Sequence, residues 1–197
     1  MSDSPTHSPP DRYWPFYCEE NAWWLARARG HRGGFVTFIS NVAGQVLMLR
    51  QRAGDGDQQL VVWDYHVVWL EWAEMGWRVF DPDHMATPDA ESDPAAGVAA
   101  DAYLRASFPA LSQPYQRLAP CFRLIDAAPF LADFASDRSH MRTVAEDGTA
   151  TWLQPPPPWP APGRGHNLDR YIDMGSDGPG RVLMLPDLLR FVGAGAA

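Results

Sequence analysis

The sequence has no apolar run long enough to cross a membrane. A spanning helix needs roughly 20 predominantly apolar residues, and no stretch of this chain approaches that length. The opening segment MSDSPTHSPPDR also lacks the charged-then-apolar order of a secretion signal. We therefore expect a cytoplasmic protein.

Cysteine is scarce, and it occurs only as Cys18 and Cys121. Two cysteines are too few for a disulfide framework, and a reducing compartment would keep both as thiols. Neither CxxC nor HxxxH spacing occurs in the sequence. We therefore predict no zinc site and no other metal centre.

Positive charge is also in short supply. The chain carries 16 Lys and Arg residues against 24 Asp and Glu residues, a net charge of −8, with no basic run. We therefore expect no surface for nucleic acid or an anionic membrane, and a neutral or cationic partner is favoured.

What the chain does contain is the material for a substantial core. It has 197 residues, of which 46% are hydrophobic and 12% aromatic, and this suits one globular domain. We predict a mobile Ser/Pro-rich tail over 1–11, a single catalytic domain over 12–192 and a frayed C-terminus over 193–197.

The apolar patterning predicts alternating strands and helices. An amphipathic segment at 19–29 closes on Gly30, and two hairpins are expected. One surrounds the turn NVAG, and the other, over 60–81, has its first strand at 60–72 and its turn at AEMG. The second hairpin precedes an acidic loop over 82–97. Further strands are predicted at 121–126 and 181–185, helices at 98–108, 128–136 and 186–192, and an extended proline-rich segment at 154–165. The order indicates an α+β fold, an antiparallel sheet with helices packed on it.

Cys18 stands at the start of the first predicted helix. Unpaired N–H groups and the macrodipole at a helix N-terminus favour a thiolate, so this position suits a nucleophile. Burial as a small apolar residue is the alternative. Glu19 and Glu20 follow directly and would raise the pKa of the thiol, so a nearby cation is expected to offset them.

His66 and Asp81 lie on the two strands of the second hairpin. Their separation around AEMG places Asp81 opposite or diagonal to His66, within side-chain reach. Such an aspartate would orient the imidazole and leave its other nitrogen to take a proton from Cys18. This chain order is that of the transglutaminase-like branch of papain-type enzymes. On spacing alone, the other candidates for the histidine remain open: His31, His84, His140 and His166.

Five blocks of sequence together resemble the protein N-terminal glutamine amidohydrolases. They occur in order over residues 13–192 and read YCEEN, FISN, VVWDYHVV, FASDRSHM and PPPPWP. The resemblance implies an enzyme that converts an N-terminal glutamine to glutamate and releases ammonia. It places the nucleophile on Cys18, the histidine on His66 and the aspartate on Asp81.

The resemblance also implies an α-β-α sandwich with a mainly antiparallel central sheet, papain/transglutaminase-like, and a monomer that needs no metal or organic cofactor. The expected partners are proteins or peptides with a free N-terminal glutamine. Eukaryotic members feed an N-degron pathway. The Ala-, Gly- and Pro-rich composition of this chain fits a high-GC genome, and the chemistry is expected to hold whichever pathway it serves.

The expected mechanism passes through a thioester, with His66 protonating the departing ammonia and then activating water. Candidates for binding the substrate ammonium are Glu19, Glu20 and Asp64. Arg138 and His140, in SDRSHM, could contact the substrate, although a capped loop also explains that segment. A transglutaminase or cysteine protease with the same triad, and a non-catalytic binding module, are the alternative functions.

Overall fold

The computed structural model describes residues 12–30, 33–74, 76–85, 97–175 and 177–194. The predicted tail at 1–11, most of the acidic loop at 82–97 and the last residues of the chain lie outside the described part. His31 lies outside it as well. The elements are α1 (Cys18–Arg29), β1 (Phe35–Ser40), β2 (Val46–Met48), β3 (Val61–Trp63), β4 (His66–Ala73), β5 (Gly76–Phe80), β6 (Val98–Ala99), α2 (Ala100–Ser107), β7 (Cys121–Asp126), α3 (Ala127–Asp133), β8 (Arg142–Val144), β9 (Ala150–Trp152), α4 (Asp169–Ile172), β10 (Arg181–Met184) and α5 (Leu185–Gly193).

The main sheet has the strand order β10-β7-β1-β4-β5-β6 within the described residues. Each of the pairings that build it is antiparallel. Two small two-stranded sheets, β2–β3 and β8–β9, stand apart from it. The prediction of a mixed helix and strand protein with a mainly antiparallel central sheet is confirmed.

Helices cover both faces of the main sheet. Side chains of α1, α3 and α4 pack with Val36 and Phe38 of β1 in one core cluster. Side chains of α2 and α5 pack with Ile39 of β1 in the other cluster. Neighbouring residues of a strand point to opposite faces, so β1 contributes to both clusters. This double coverage explains why nearly all of β1 is buried.

The hairpin predicted around NVAG is wrong. β1 pairs with β4 on one side and with β7 on the other, whereas β2 pairs with β3 in a separate sheet. The buried six-residue β1 needs long partners on both sides to satisfy its backbone groups, and β2, with only three residues, cannot supply them.

The strand predicted over 60–72 is interrupted at Asp64 and Tyr65, which separate β3 from β4. The side chain of Asp64 accepts a hydrogen bond from the N–H of Tyr65 at 2.9 Å. Such a local bond offers the backbone an alternative to the strand ladder. The interruption leaves His66 at the first position of β4, where the sheet meets the loops.

The hairpin around AEMG is confirmed. β4 and β5 pair with Ala73 opposite Gly76 and Leu70 opposite Val79. The helix predicted to follow Cys18 is also present, and it ends at Arg29 with Gly30 as its C-cap. Within the described residues, no helix is both long enough and apolar enough to cross a bilayer.

Candidate active site

A cavity of about 330 Å³ opens between the start of α1 and the start of β4. Its volume falls in the range of small-ligand pockets. Cys18, His66, Asp64 and His140 line it, so four residues selected from the sequence share one cavity. The remaining lining residues are Phe16, Trp63, Tyr65, Asp83, Met141, Leu153, Gln154, Leu168, Asp169 and Ile172.

Cys18 is the first residue of α1 and is 8% exposed. Burial, followed by the charges of Glu19 and Asp83, raises the pKa of the thiol well above its usual value, against a hydrogen bond from the backbone of Val67 that lowers it. The Sγ atom lies 3.9 Å from a carboxylate oxygen of Glu19. The thiol therefore needs both a base and a counter-charge to ionise.

Asn21 fixes the chain that leads into Cys18. Its side-chain oxygen accepts from the N–H of Trp14 at 2.9 Å, and its amide nitrogen donates to the Trp14 carbonyl at 3.0 Å. This pair of hydrogen bonds holds the preceding loop against α1. Phe16, in that loop, adopts a positive φ of 65°. The approach to the helix N-terminus is therefore rigidly defined.

His66 and Asp81 form a buried pair, with 3.0 Å between Nε2 and Oδ1. Continuing the β4–β5 register places Val68 opposite Asp81, so Asp81 is diagonal to His66. Burial alone would lower the pKa of His66, but the charge and hydrogen bond of Asp81 outweigh it and the pKa is raised. The geometry favours an imidazolium held by a carboxylate.

Asp81 is held by several donors besides His66. Tyr103, from α2, donates its hydroxyl at 2.8 Å, the N–H of Asp83 donates at 3.0 Å, and Gln51 donates at 3.4 Å. Burial opposes the charged form, yet the bonds from His66 and Tyr103 lower the pKa of Asp81 to about 2. The carboxylate is therefore ionised at neutral pH. No motif in the sequence marks Tyr103 or Gln51 as site residues.

Trp63 covers the ring of His66. The two rings stack with centroids 5.9 Å apart and planes 14° apart. The indole N–H of Trp63 donates to Gln51 at 3.3 Å, and Phe16 meets Trp63 edge-on at 6.1 Å. These contacts fix the imidazole in one orientation and limit the access of water to it.

The other histidines of the described residues occupy different places. His84 packs against Tyr103 with 4.9 Å between ring centroids, and His166 pairs with Asp137 at 3.1 Å. His140 lines the cavity but pairs with Glu19. Among the imidazoles that the structure describes, only His66 is paired with Asp81.

Glu20 and Arg138 bind each other and do not line the cavity. Arg138 donates to both carboxylate oxygens of Glu20, at 2.6 and 2.8 Å, and to the carbonyls of Pro157 and Trp159. The indole of Trp159 donates to Glu20 at 3.1 Å. The pair thus ties the proline-rich segment onto α1. Asp137 accepts from the N–H of Ser139 at 2.9 Å, the capped-loop geometry that the sequence allowed.

Glu19 and Asp64 differ in their exposure. Glu19 is 0% exposed; its carboxylate accepts from the hydroxyl of Tyr65 at 3.2 Å and lies 3.5 Å from Nε2 of His140. Asp64 is exposed and lines the cavity. Asp169, at the start of α4, is a second exposed carboxylate on the cavity wall that the sequence analysis did not select.

One group of side chains among the described residues has the spacing to hold a metal ion. Ligand atoms of His66, Asp81 and Asp83 lie within 4.8 Å of one another. These side chains also have protein partners: His66 binds Asp81, and Oδ1 of Asp83 accepts from the hydroxyl of Tyr13 at 2.7 Å. The hydrogen bonds account for the cluster without an ion.

Comparison with known proteins gives one consistent family. The N-terminal glutamine amidase family model matches residues 13–192. The Protein N-terminal glutamine amidohydrolase of Drosophila pseudoobscura pseudoobscura is 33% identical over 186 residues, which cover 88% of this chain and 84% of the relative. The protein of the same name from Bos taurus is 32% identical over 184 residues, covering 88% and 83%. The Homo sapiens protein is 33% identical over 168 residues, covering 80% and 76%. The chain belongs to the N-terminal glutamine amidase family.

Proposed function

We propose that this protein hydrolyses the side-chain amide of an N-terminal glutamine to glutamate and ammonia, with Cys18, His66 and Asp81 as a catalytic triad. The relatives that support this are named for that activity. The observation that carries the assignment is the meeting of Cys18, at a helix N-terminus, with the buried His66–Asp81 pair at one cavity.

The mechanism follows from the different partners of the two imidazole nitrogens of His66. Nε2 of His66 is committed to Asp81, which leaves Nδ1 to take the proton of Cys18. The thiolate attacks the amide carbon, and N–H groups at the start of α1 stabilise the oxyanion. The carbon–nitrogen bond breaks as His66 donates the proton to the departing amide nitrogen, which leaves as ammonia. Water, deprotonated by His66, then cleaves the thioester to give glutamate and the free thiol.

Selectivity for a terminal glutamine requires a group that binds the free α-ammonium. Glu20 is occupied by Arg138, and Glu19 is not exposed to the cavity. Asp64 is exposed on the cavity wall two residues before His66, with one carboxylate oxygen bound to the N–H of Tyr65. We assign the ammonium to Asp64, and Asp169 is the matched carboxylate on the same wall.

The fold proposed for this chain is the papain/transglutaminase-like α-β-α sandwich. Its support is a nucleophile at the start of a helix packed on an antiparallel sheet whose adjacent strands carry the histidine and the aspartate. We also propose that residues 12–192 form a single catalytic domain, that the protein acts as a cytoplasmic monomer, and that it uses no metal or organic cofactor.

The test is ammonia release from a short peptide beginning with glutamine, measured beside its N-acetylated twin. A charge-assisted hydrogen bond contributes roughly 1.5–3 kcal/mol, so acetylation should lower kcat/KM at least about tenfold. Asp64→Asn should reproduce that loss on the free peptide and change the acetylated one little, whereas Asp169→Asn should retain most activity. Equal turnover of the two peptides would contradict a terminal-glutamine enzyme.

The nucleophile is tested by paired cysteine variants. Cys18→Ala should abolish ammonia release with the fold retained, and Cys121→Ala should keep most activity because Cys121 lies in β7, outside the cavity. Equal losses would refute the assignment. Incorporation of an added amine would indicate a transglutaminase, internal peptide cleavage a protease, and an unreactive Cys18 a binding module.

A further inference from the structure

The two glutamates after Cys18 each face a cation from the same short segment. Glu20 is bound by Arg138, and Glu19 lies 3.5 Å from His140. The two pairs differ in one respect. An arginine stays charged at any pH that the protein experiences, whereas a histidine titrates near neutrality.

Glu19 is placed to act on the nucleophile directly. One of its carboxylate oxygens lies 3.9 Å from Sγ of Cys18 and accepts from the hydroxyl of Tyr65. The other oxygen, Oε1, is buried without a hydrogen-bond partner among the described residues and faces the ring of His140. Because the carboxylate is 0% exposed, water screens its charge only weakly.

We propose that His140 is a positioning residue that controls the ionisation of Cys18 through Glu19. While His140 is protonated it balances the Glu19 carboxylate, and the helix N-terminus and His66 can then stabilise the thiolate. When His140 loses its proton, the buried charge of Glu19 acts on the sulfur unopposed and disfavours the thiolate. The inference rests on the proposed role of Cys18 as the nucleophile.

The other groups around His140 favour its protonated form. Asp64 contributes from the bend between β3 and β4, and Asp137 contributes from the loop that carries His140 itself. The ring of His166 lies 5.7 Å away and is paired with Asp137, and the hydroxyl of Tyr65 lies 3.3 Å from Nε2 of His140. Burial alone would lower the pKa of His140, but Glu19, followed by these acids, raises it.

The test measures the thiol pKa from the rate of iodoacetamide alkylation against pH, followed by mass spectrometry in a Cys121→Ser background. A like charge within about 4–6 Å changes a pKa by about 1–3 pH units. Glu19→Gln should therefore lower the thiol pKa by about that amount. His140→Asn should slow alkylation about tenfold near pH 6, where His140 is protonated, and change it little near pH 9, where it is not.

The double variant separates an electrostatic role from a structural one. With a neutral glutamine at position 19, His140 has no charge to balance, so Glu19→Gln with His140→Asn should match Glu19→Gln alone. His166→Asn serves as the control, because His166 pairs with the exposed Asp137 and should leave the thiol pKa unchanged.

Independent, additive effects of the two substitutions would overturn the proposal, as would an alkylation rate near pH 6 that is unchanged in His140→Asn. If His140→Asn does not fold, Glu19→Gln decides. The change in alkylation rate that accompanies the titration of His140 near neutral pH should disappear with the carboxylate, and its persistence would refute the proposal. Alkylation needs no glutamine substrate, so these outcomes are separate from a failure of ammonia release.

Discussion

Replacing Asp81 by asparagine should disable the proposed triad while preserving its shape. The carboxylate is completely buried and accepts from His66, Tyr103 and the N–H of Asp83. Asparagine fits the same space but carries no charge to balance an imidazolium. The burial of His66 would then be opposed only by the smaller effects of Asp83 and Glu19, and the pKa of His66 should fall.

The magnitude for stability follows from the pKa of Asp81, which is lowered from 3.8 to about 2. At 1.36 kcal/mol per pH unit, this difference contributes about 2 kcal/mol to the free energy of unfolding. Because the folded pKa is depressed, the contribution is present above pH 3.8 and is lost as the pH falls towards 2. The contribution of His66 to the free energy of unfolding depends on pH in the opposite direction. Its folded pKa is raised, so the stabilisation is present below 6.5 and is lost as the pH rises through the folded value.

Two measurements test Asp81→Asn. The pKa of His66, from NMR titration of its ring protons, should drop, and kcat/KM for ammonia release should fall by about 10² to 10⁴, the usual contribution of acid–base catalysis. Urea unfolding should show the largest loss of stability between about pH 4 and 6.5, which is the interval between the ordinary pKa values of Asp81 and His66. An unchanged His66 pKa together with full activity would refute the role given to Asp81.

Two further substitutions test how the site is supported. Tyr103→Phe removes one hydrogen bond to Asp81. A bond to a charged group contributes about 1.5–3 kcal/mol, so kcat should fall by about 10- to 150-fold. Tyr171→Phe loses a 2.8 Å bond to Asp133, outside the cavity, and should keep its kcat; equal losses of kcat would contradict this reasoning. Arg138→Leu leaves the buried Glu20 unpaired and should lower the free energy of unfolding by about 3–5 kcal/mol, measured by urea denaturation, and an unchanged midpoint would count against the ion pair.

The parts of the fold that the sequence predicts well are those set by local chemistry. The β4–β5 hairpin follows from two apolar, aromatic-rich segments on either side of a short turn, and the end of α1 follows from the glycine after its last residue. The pairing of β1 with β7 joins Phe35 to Asp126, far apart in the chain, and no local signal specifies it. The turn beside β1 instead suggested a hairpin that does not form.

The site likewise contains residues whose proximity follows from the local sequence and residues that only the packing of helices brings together. His66 and Asp81 belong to one hairpin, so their spacing alone brought them within reach. Tyr103 reaches Asp81 from α2, and Asp169 reaches the cavity from α4. A tyrosine in a short helix and an aspartate in a first helical turn are common without any function, and only the packing of those helices gives them one.

The charges that follow Cys18 show how three dimensions change the meaning of a motif. In the sequence, two carboxylates beside a nucleophile argue against a thiolate, and one nearby cation is expected to offset both. In the structure, Glu20 is neutralised by Arg138 and contributes to holding the proline-rich segment, while Glu19 faces His140. His66 is paired with Asp81. Asp81 therefore has the largest charge effect on the imidazole that takes the thiol proton, and Glu19 has the largest charge effect on the sulfur. Substitutions at Asp81 and at Glu19 should accordingly act most strongly on different limbs of the pH–rate profile.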